Sequence, residues 1–250
     1  MNQINQTCAV VLAAGKGTRM KSDLPKVATL LNEKPLLLHV VETLESIGIS
    51  RILVIIGYKK EIVMDLLKNK KGIEFAEQKE QLGTGHAVLC AEDALKDFEG
   101  NLLVCCGDVP LIRSHSFQEL LDYHSENQMN ATVLSAKIEN PKGYGRLVFQ
   151  TSGKLDRIVE EKDASDEEKK IDIINTGTYV FSAPSVFSKL KSINSQNAQN
   201  EYYLPDLIGI YNQGNGKTGT VVLKNHLESL GVNSPEDLLY LHDILEKGQV

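Results

Sequence analysis

The stretch Val10–Lys26, VVLAAGKGTRMKSDLPK, sets Lys16, Arg19, Lys21 and Lys26 around Gly15 and Gly17, with Asp23 as the one anion among them. The whole chain carries a net charge of −6, so this loop runs against the average. Glycines let backbone approach a ligand closely and adopt positive φ. Successive amides then form a concave nest for an anion. Arg19 and Lys26 are spaced to reach over it. Such a loop grips polyphosphate. Gly-x-Gly by itself is equally a plain turn with solvated cations, and the longer string is what makes the phosphate reading specific.

Two familiar phosphate loops are excluded. The dinucleotide fingerprint G-x-G-x-x-G fails because its third position is Met20, and no GxxxxGK[ST] string can be placed on the loop. Pro25 also turns Leu24 away from helical geometry. The loop is therefore expected to stay irregular as far as Lys26. A dinucleotide-dependent oxidoreductase is the least favoured enzyme class.

The elements that must position this loop alternate. CAVVLAA, RILVIIG, GIEFAEQ and NLLVCCGD read as buried strands. PLLLHVVETLESIG, KKEIVMDLLKNK and GTGHAVLCAEDALKDF carry helical spacing. Strand then helix, repeated, predicts a mostly parallel sheet covered on both faces, with ligands at the carboxyl ends of its strands. The second half is less regular. SFQELLDYHSENQ, PSVFSKLKSI and, despite Pro205, NEYYLPDLIGIYNQG read as helices. NATVLSAKI, INTGTYVFSA and TGTVVLKN read as strands, and GRLVFQTSGKLDRIVEE as two strands joined at Ser152-Gly153. EEKDASDEEKK reads as a solvated loop or short helix. SPEDLLYLHDILEKG closes the chain as a helix with Ser234 at the N-cap and Pro235 at N1.

The 250 residues and 42% hydrophobic content suit one domain, residues 1–250, with a substantial core. An acidic balance argues against coating nucleic acid. Cys8, Cys90, Cys105 and Cys106 form no CxxC pair and ask for no disulfides, which suits a reducing cytoplasm; Cys105 and Cys106 read as small buried hydrophobes in a strand. The polar start MNQINQTC gives no expectation of a leader, and no run is long enough for a membrane span. The sequons at Asn5 and Asn130 are then chance matches.

The string LAAGKGTRMKSDLPK resembles the signature of the sugar-1-phosphate nucleotidyltransferases, and within them the N-acetylglucosamine-1-phosphate uridyltransferases. EQLGTGHA, GDVPL, GYGR, IVEEKDAS, INTG, NAQNEYYLPDLI and GVNSPEDL follow in the family's order. The resemblance implies an α/β, Rossmann-like nucleotidyltransferase fold with a mixed, mostly parallel central sheet flanked by helices. It implies UTP and N-acetylglucosamine 1-phosphate as substrates, UDP-N-acetylglucosamine and pyrophosphate as products, and Mg²⁺ as cofactor. Such a reaction needs no general base, because its phosphate nucleophile is already ionised. Positioning and charge neutralisation are the work to be done.

Carried onto this chain, the resemblance gives Arg19 and Lys26 the departing and bound phosphates. Leu12, Ala13, Ala14, Gly15, Gly17, Lys26, Gln78, Gly83 and Thr84 fall to the nucleotide, with the Gln78 amide matching a uracil edge. Gly107, Gly145, Glu160, Asn175 and Asn233 fall to the sugar. Asp108 and Asn233 form a hard-oxygen pair suited to Mg²⁺. Read from their immediate strings alone, Asp108 is a turn cap, Asn233 a surface turn residue and Gln78 an exposed strand end. Glu161 rivals Glu160, since strand alternation turns only one inward. His86 reads as a packing residue at a helix start. Cys106 stands where members of the family often carry an aromatic, which puts a side-chain contact there in doubt. The hexapeptide repeats of a left-handed β-helix acetyltransferase are not in this sequence, so the resemblance implies the uridyltransferase half. A separate acetyltransferase acting upstream stays open as a partner, as do another sugar phosphate or nucleotide and a non-catalytic nucleotide-sugar-binding relative.

Overall fold

The computed structural model describes residues 6–183 and 185–250. Asn5 of the first sequon and Pro184 of the PSVFSKLKSI segment lie outside the described residues. In chain order the elements are β1 (Thr7–Leu12), β2 (Leu30–Leu31), β3 (Lys34–Pro35), α1 (Leu36–Ser46), β4 (Ile52–Ile56), α2 (Lys60–Leu67) and β5 (Ile73–Glu77). Then come α3 (Thr84–Leu89), α4 (Glu92–Leu95), β6 (Gly100–Cys106), α5 (Ser114–Glu126), β7 (Ala131–Lys137), β8 (Arg146–Phe149) and β9 (Leu155–Val159). The last are β10 (Ile173–Ala183), α6 (Ser185–Leu190), α7 (Asp206–Gln213), β11 (Thr218–Val222) and α8 (Pro235–Glu246).

The main sheet runs β11-β7-β10-β6-β1-β4-β5. Every strand on that path except β10 points the same way, because β10 is antiparallel to both β6 and β7 and the other pairings are parallel. The sheet is therefore mixed and mostly parallel. The β8–β9 hairpin hangs from β10 through the Ile174–Arg146 pair. From β1 the chain first passes through α1 to β4, then crosses back through α3 and α4 to β6 on the other side of β1. The strand order reverses at β1, and a crevice opens beyond the carboxyl ends of β1 and β6.

Alternation along the strands separates two cores. Ala9, Val11, Val54, Leu103 and Val180 face α1, α2 and α5. Cys8, Val10, Leu53, Val104 and Phe181 face α3, α6 and α7. Both faces of the central strands are covered, which is why these strands read as unbroken apolar runs. A third, smaller core joins Met20, Leu31 and Leu36 to Val232, Leu241 and Ile244, so α8 clamps the glycine loop. Met20, which breaks the dinucleotide fingerprint, is the loop's anchor.

Three segments differ from the sequence expectations. NEYYLPDLIGIYNQG is helical only from Asp206; Pro205 is the N-cap, and Asn200 sits at φ 55°. Proline disfavours helical geometry in the residue before it, so the helix starts after it. GTGHAVLCAEDALKDF forms two short helices, with the ladder tightening to an i→i−3 bond from Ala91 to Val88. The β2–β3 hairpin turns at Asn32 and Glu33, both at positive φ. Among the described residues no helix is long and apolar enough to cross a membrane.

Candidate active site

A cleft in two halves lies over the β1–β6 crevice, and Leu12, Thr84, Cys106 and Asp108 line both. The smaller half, about 260 Å³, is walled by Ala13, Ala14, Gly15, Lys26, Gln78 and Gly83. The larger, about 430 Å³, is walled by Arg19, Gly145, Glu160, Asn175, Tyr179 and Asn233, among others.

The glycine loop leaves β1 at Leu12 and makes short 3₁₀ turns at Thr18–Met20 and Lys26–Ala28. A Cβ at Gly15 would meet nothing within 4 Å, so packing within the protein does not call for glycine there. Open space beside bare backbone is what a ligand approaching the amides requires. Gly17 differs. Its φ is 66°, and a Cβ would come within 2.6 Å of Lys26 Cβ, so it clears room for Lys26 and lines neither half. Gly107 also lines neither half. Its amide donates to the Leu12 carbonyl at 2.9 Å, and a Cβ there would crowd Leu37 and Val27. The structure places Gly107 under the floor of the cleft rather than on the sugar side.

The loop's cations meet oxygen from distant parts of the chain. Lys26 forms an ion pair with Asp108 and donates to Asn233 Oδ1 at 3.1 Å. Arg19 Nη2 donates to the same oxygen at 3.1 Å. Asn233 is held from behind by the start of α8. Asp237 Oδ2 accepts from the backbone of Asn233 and Ser234 at 2.9 Å each, completing a capping box. The Val232 amide donates to the Asp108 carbonyl at 3.0 Å. Lys16 stands apart, 5.4 Å over the Tyr58 ring.

In the smaller half, Gln78 is only 4% exposed, unlike the exposed strand end its string alone suggests. Its Nε2 donates to the Gly83 carbonyl and lies against His86 Nδ1, at 3.1 Å each. His86 is thus tied to a wall of the cleft as well as packed. Gly83 has φ 106°, and a Cβ would stand 2.7 Å from the Tyr202 carbonyl. Tyr202 clamps this loop, accepting from the Gly85 amide at 2.7 Å and donating its own amide to Leu82 at 2.8 Å. The Thr84 hydroxyl accepts from the Leu204 amide.

In the larger half, the Asn175 amide donates to the Gly145 carbonyl at 2.9 Å, while Asn175 Oδ1 accepts from Gly177 N–H at 3.0 Å inside the β10 irregularity. Its side-chain N–H₂ lies beside the Tyr179 hydroxyl, and both residues line this half. Glu160 faces the cleft; Glu161 instead pairs with Arg146 at 2.7 Å. Strand alternation is not the cause, because β9 ends at Val159. The buried Arg146 guanidinium draws Glu161 away. Burial, then the neighbouring Asp206, Asp163 and Glu201 charges, pushes the Glu160 carboxyl up to about 7. Burial and Asp163 push Asp206 up to about 6. At the junction of the halves, burial pushes the Cys106 thiol up to about 12, so it is a neutral, small wall residue.

Sequence reasoning missed Tyr179 and Arg146. Tyr179 is 1% exposed and lines the larger half, and its hydroxyl, beside the Asn175 side chain, makes no hydrogen bond of good geometry among the described residues. An unsatisfied buried hydroxyl beside a cleft suits a polar ligand group. The signal was the phase of β10, which turns Tyr179 to the same side as Asn175 and Gly177. Arg146 was visible as the arginine of GYGR, but its burial was not.

Residues 8–224 match the nucleotidyl transferase family. Over 239 residues, 96% of its length, the chain is 47% identical to the Bifunctional protein GlmU of Streptococcus uberis, covering 52% of that protein. It is 49% identical over 225 residues to the Streptococcus agalactiae protein of the same name, covering 90% of this chain and 49% of that one. The protein of that name from Oceanobacillus iheyensis is 45% identical over 239 residues. The chain spans about half the length of these curated relatives. A solved UDP-glucose pyrophosphorylase complexed with UDP-glucose has a TM-score of 0.78 at 20% identity, over 97% of this chain and 99% of that one; at that identity the likeness is one of fold.

Proposed function

The chain belongs to the nucleotidyl transferase family, and from that premise we propose that it transfers a uridylyl group from UTP to N-acetylglucosamine 1-phosphate, as one domain over residues 1–250. An oxygen of the sugar phosphate attacks the α-phosphorus of UTP. The bond from that phosphorus to the bridging oxygen breaks, and pyrophosphate leaves with the electron pair. The observation that carries the reading is the two-halved cleft, with Arg19, Lys26 and Asp108 gathered where its halves meet.

The smaller half takes the nucleotide. The open backbone at Gly15 approaches the phosphates, and the base lies against Gln78 and Gly83. The larger half takes the sugar, with Glu160 accepting from hydroxyls, and the Asn175 amide and Tyr179 hydroxyl meeting the remaining polar groups. Arg19 and Lys26 neutralise charge as it builds on pyrophosphate.

The oxygens of Asp108 and Asn233 both converge on the Lys26 ammonium, so the pair already embraces one cation. Two hard oxygens, with phosphates and water completing the shell, fit Mg²⁺. Bound there, Mg²⁺ would supply Lewis-acid stabilisation of phosphate charge. Lys26, displaced from that pair, is free to reach phosphate.

The test is pyrophosphate release across a panel of nucleotides and sugar 1-phosphates. UTP with N-acetylglucosamine 1-phosphate is expected to give the highest kcat/KM. A clear preference for another nucleotide or sugar phosphate overturns the assignment of substrates. No turnover with any pair favours the non-catalytic binding relative.

A further inference from the structure

The protein neighbours of the nearly buried Gln78 decide how its amide is turned. The Gly83 carbonyl 3.1 Å away cannot donate, which fixes the amide end facing it as nitrogen. One Nε2 proton goes to that carbonyl. The other meets His86 Nδ1 at 3.1 Å, which must therefore accept, leaving the imidazole proton on Nε2. Both donor positions of Gln78 are engaged inside the protein. Its Oε1 has no hydrogen-bond partner among the described residues, and Gln78 lines the smaller half of the cleft. His86 does not line that half; it borders an apolar groove between α3 and α6.

We infer that His86 is a positioning residue for base selection, holding Gln78 so that only its carbonyl oxygen faces the base. A fixed acceptor favours a pyrimidine with a ring N–H at position 3. Uracil has that proton. Cytosine has a lone pair there, and two acceptors face to face are repelled and desolvated. Without the His86 acceptor, the second amide proton is unsatisfied, the amide is held by one bond, and its preference for uracil over cytosine relaxes. His86 thus sets the specificity of the nucleotide half from outside it.

This inference rests on the uridylyl-transfer reading, so wild-type kcat/KM for UTP and for CTP is measured first; a wild type that does not prefer UTP defeats that reading rather than this one. Two variants then separate packing from hydrogen bonding. His86→Phe keeps a ring and removes the acceptor. His86→Asn removes the ring and keeps an acceptor oxygen near the Nδ1 position. The UTP-to-CTP ratio of kcat/KM is expected to fall about tenfold in His86→Phe, the effect of losing one buried hydrogen bond. The loss should appear mainly as a higher KM for UTP, with kcat at saturating UTP within about twofold of wild type. His86→Asn is expected to keep the ratio within about threefold. A His86→Phe variant that keeps the wild-type ratio overturns the inference. So does an equal loss in both variants, which would make the ring rather than its nitrogen the important feature.

Discussion

In the smaller half of the cleft, backbone from Leu12 to Gly15 and the Gln78 amide, with both its donors engaged, lie beside the Lys26 cation. The wall of the larger half holds Glu160, with Asp206 beyond it; burial first, and then neighbouring carboxylates, raise both toward neutrality. On the proposed reading, the first half discriminates by the orientation of an amide. On that reading the second discriminates by carboxyls whose charge changes near neutral pH. Burying a neutral amide costs one satisfied hydrogen-bond set; burying neighbouring acids leaves their ionisation to be completed by ligand hydroxyls. The two halves share a floor at Asp108, so substitutions can be sorted by which half they impair.

Asp108→Ala should have the largest effect, because both halves use that floor. Turnover is expected to fall to background at any concentration of either substrate, with a thermal melt close to wild type. Recovery at high concentration of one substrate alone would assign Asp108 to one half and break the comparison. Arg19→Ala comes next. Loss of one preorganised electrostatic donor lowers rates about 100- to 1000-fold, and its planar fork is not copied by lysine. The fall is expected in kcat, with a modest change in KM for UTP. Lys16→Ala, which removes a cation resting on Tyr58, and Lys21→Ala are each expected to stay within a few-fold of wild type. Equal mild losses at all three positions would reduce the loop to a diffuse field.

Glu160→Gln is the sharpest probe of the comparison. A hydrogen bond to a charged acceptor is worth about 1.5–3 kcal/mol, so kcat/KM for the sugar phosphate should fall roughly 10- to 150-fold at pH 8. Below pH 7, where wild-type Glu160 is already protonated in the free enzyme, the gap should narrow. Stability moves the other way. A carboxyl raised to about 7 in the folded state holds its proton longer than in the unfolded chain. Its contribution is therefore favourable at low pH and is lost as pH rises from the ordinary carboxylate range through about 7. Free Glu160→Gln should melt above wild type at pH 8 and with it at pH 4.5. No pH dependence in either comparison would remove Glu160 as the titrating group of the larger half.

The parallel part of the sheet was legible because strands covered on both faces leave continuous apolar runs, as in CAVVLAA and NLLVCCGD. The position of the glycine loop followed from where β1 had to end. Other features were harder because their causes are remote in sequence. The packing of Gly17 on Lys26, the Arg146–Glu161 pair and the His86–Gln78 bond each depend on neighbours that no local pattern reveals. The late start of α7 was readable in principle from Pro205. The split between α3 and α4 was not, since neither glycine nor proline marks Cys90–Ala91. Tyr179 was hidden by its own apolar surroundings, which made an unsatisfied hydroxyl look like one more core aromatic.

The bonds from Arg19 and Lys26 to Asn233 span 214 and 207 residues. During synthesis at about 5–20 residues per second, the loop leaves the ribosome roughly 10–40 seconds before its partner. During that interval the growing chain adds the strands of the main sheet from β4 to β11. The Asn233 end of the cation cluster is still missing. The start of α8, made after those strands, holds Asn233 in place and brings the core that pins Met20, so the sheet can be complete in a nascent chain before the cation cluster is.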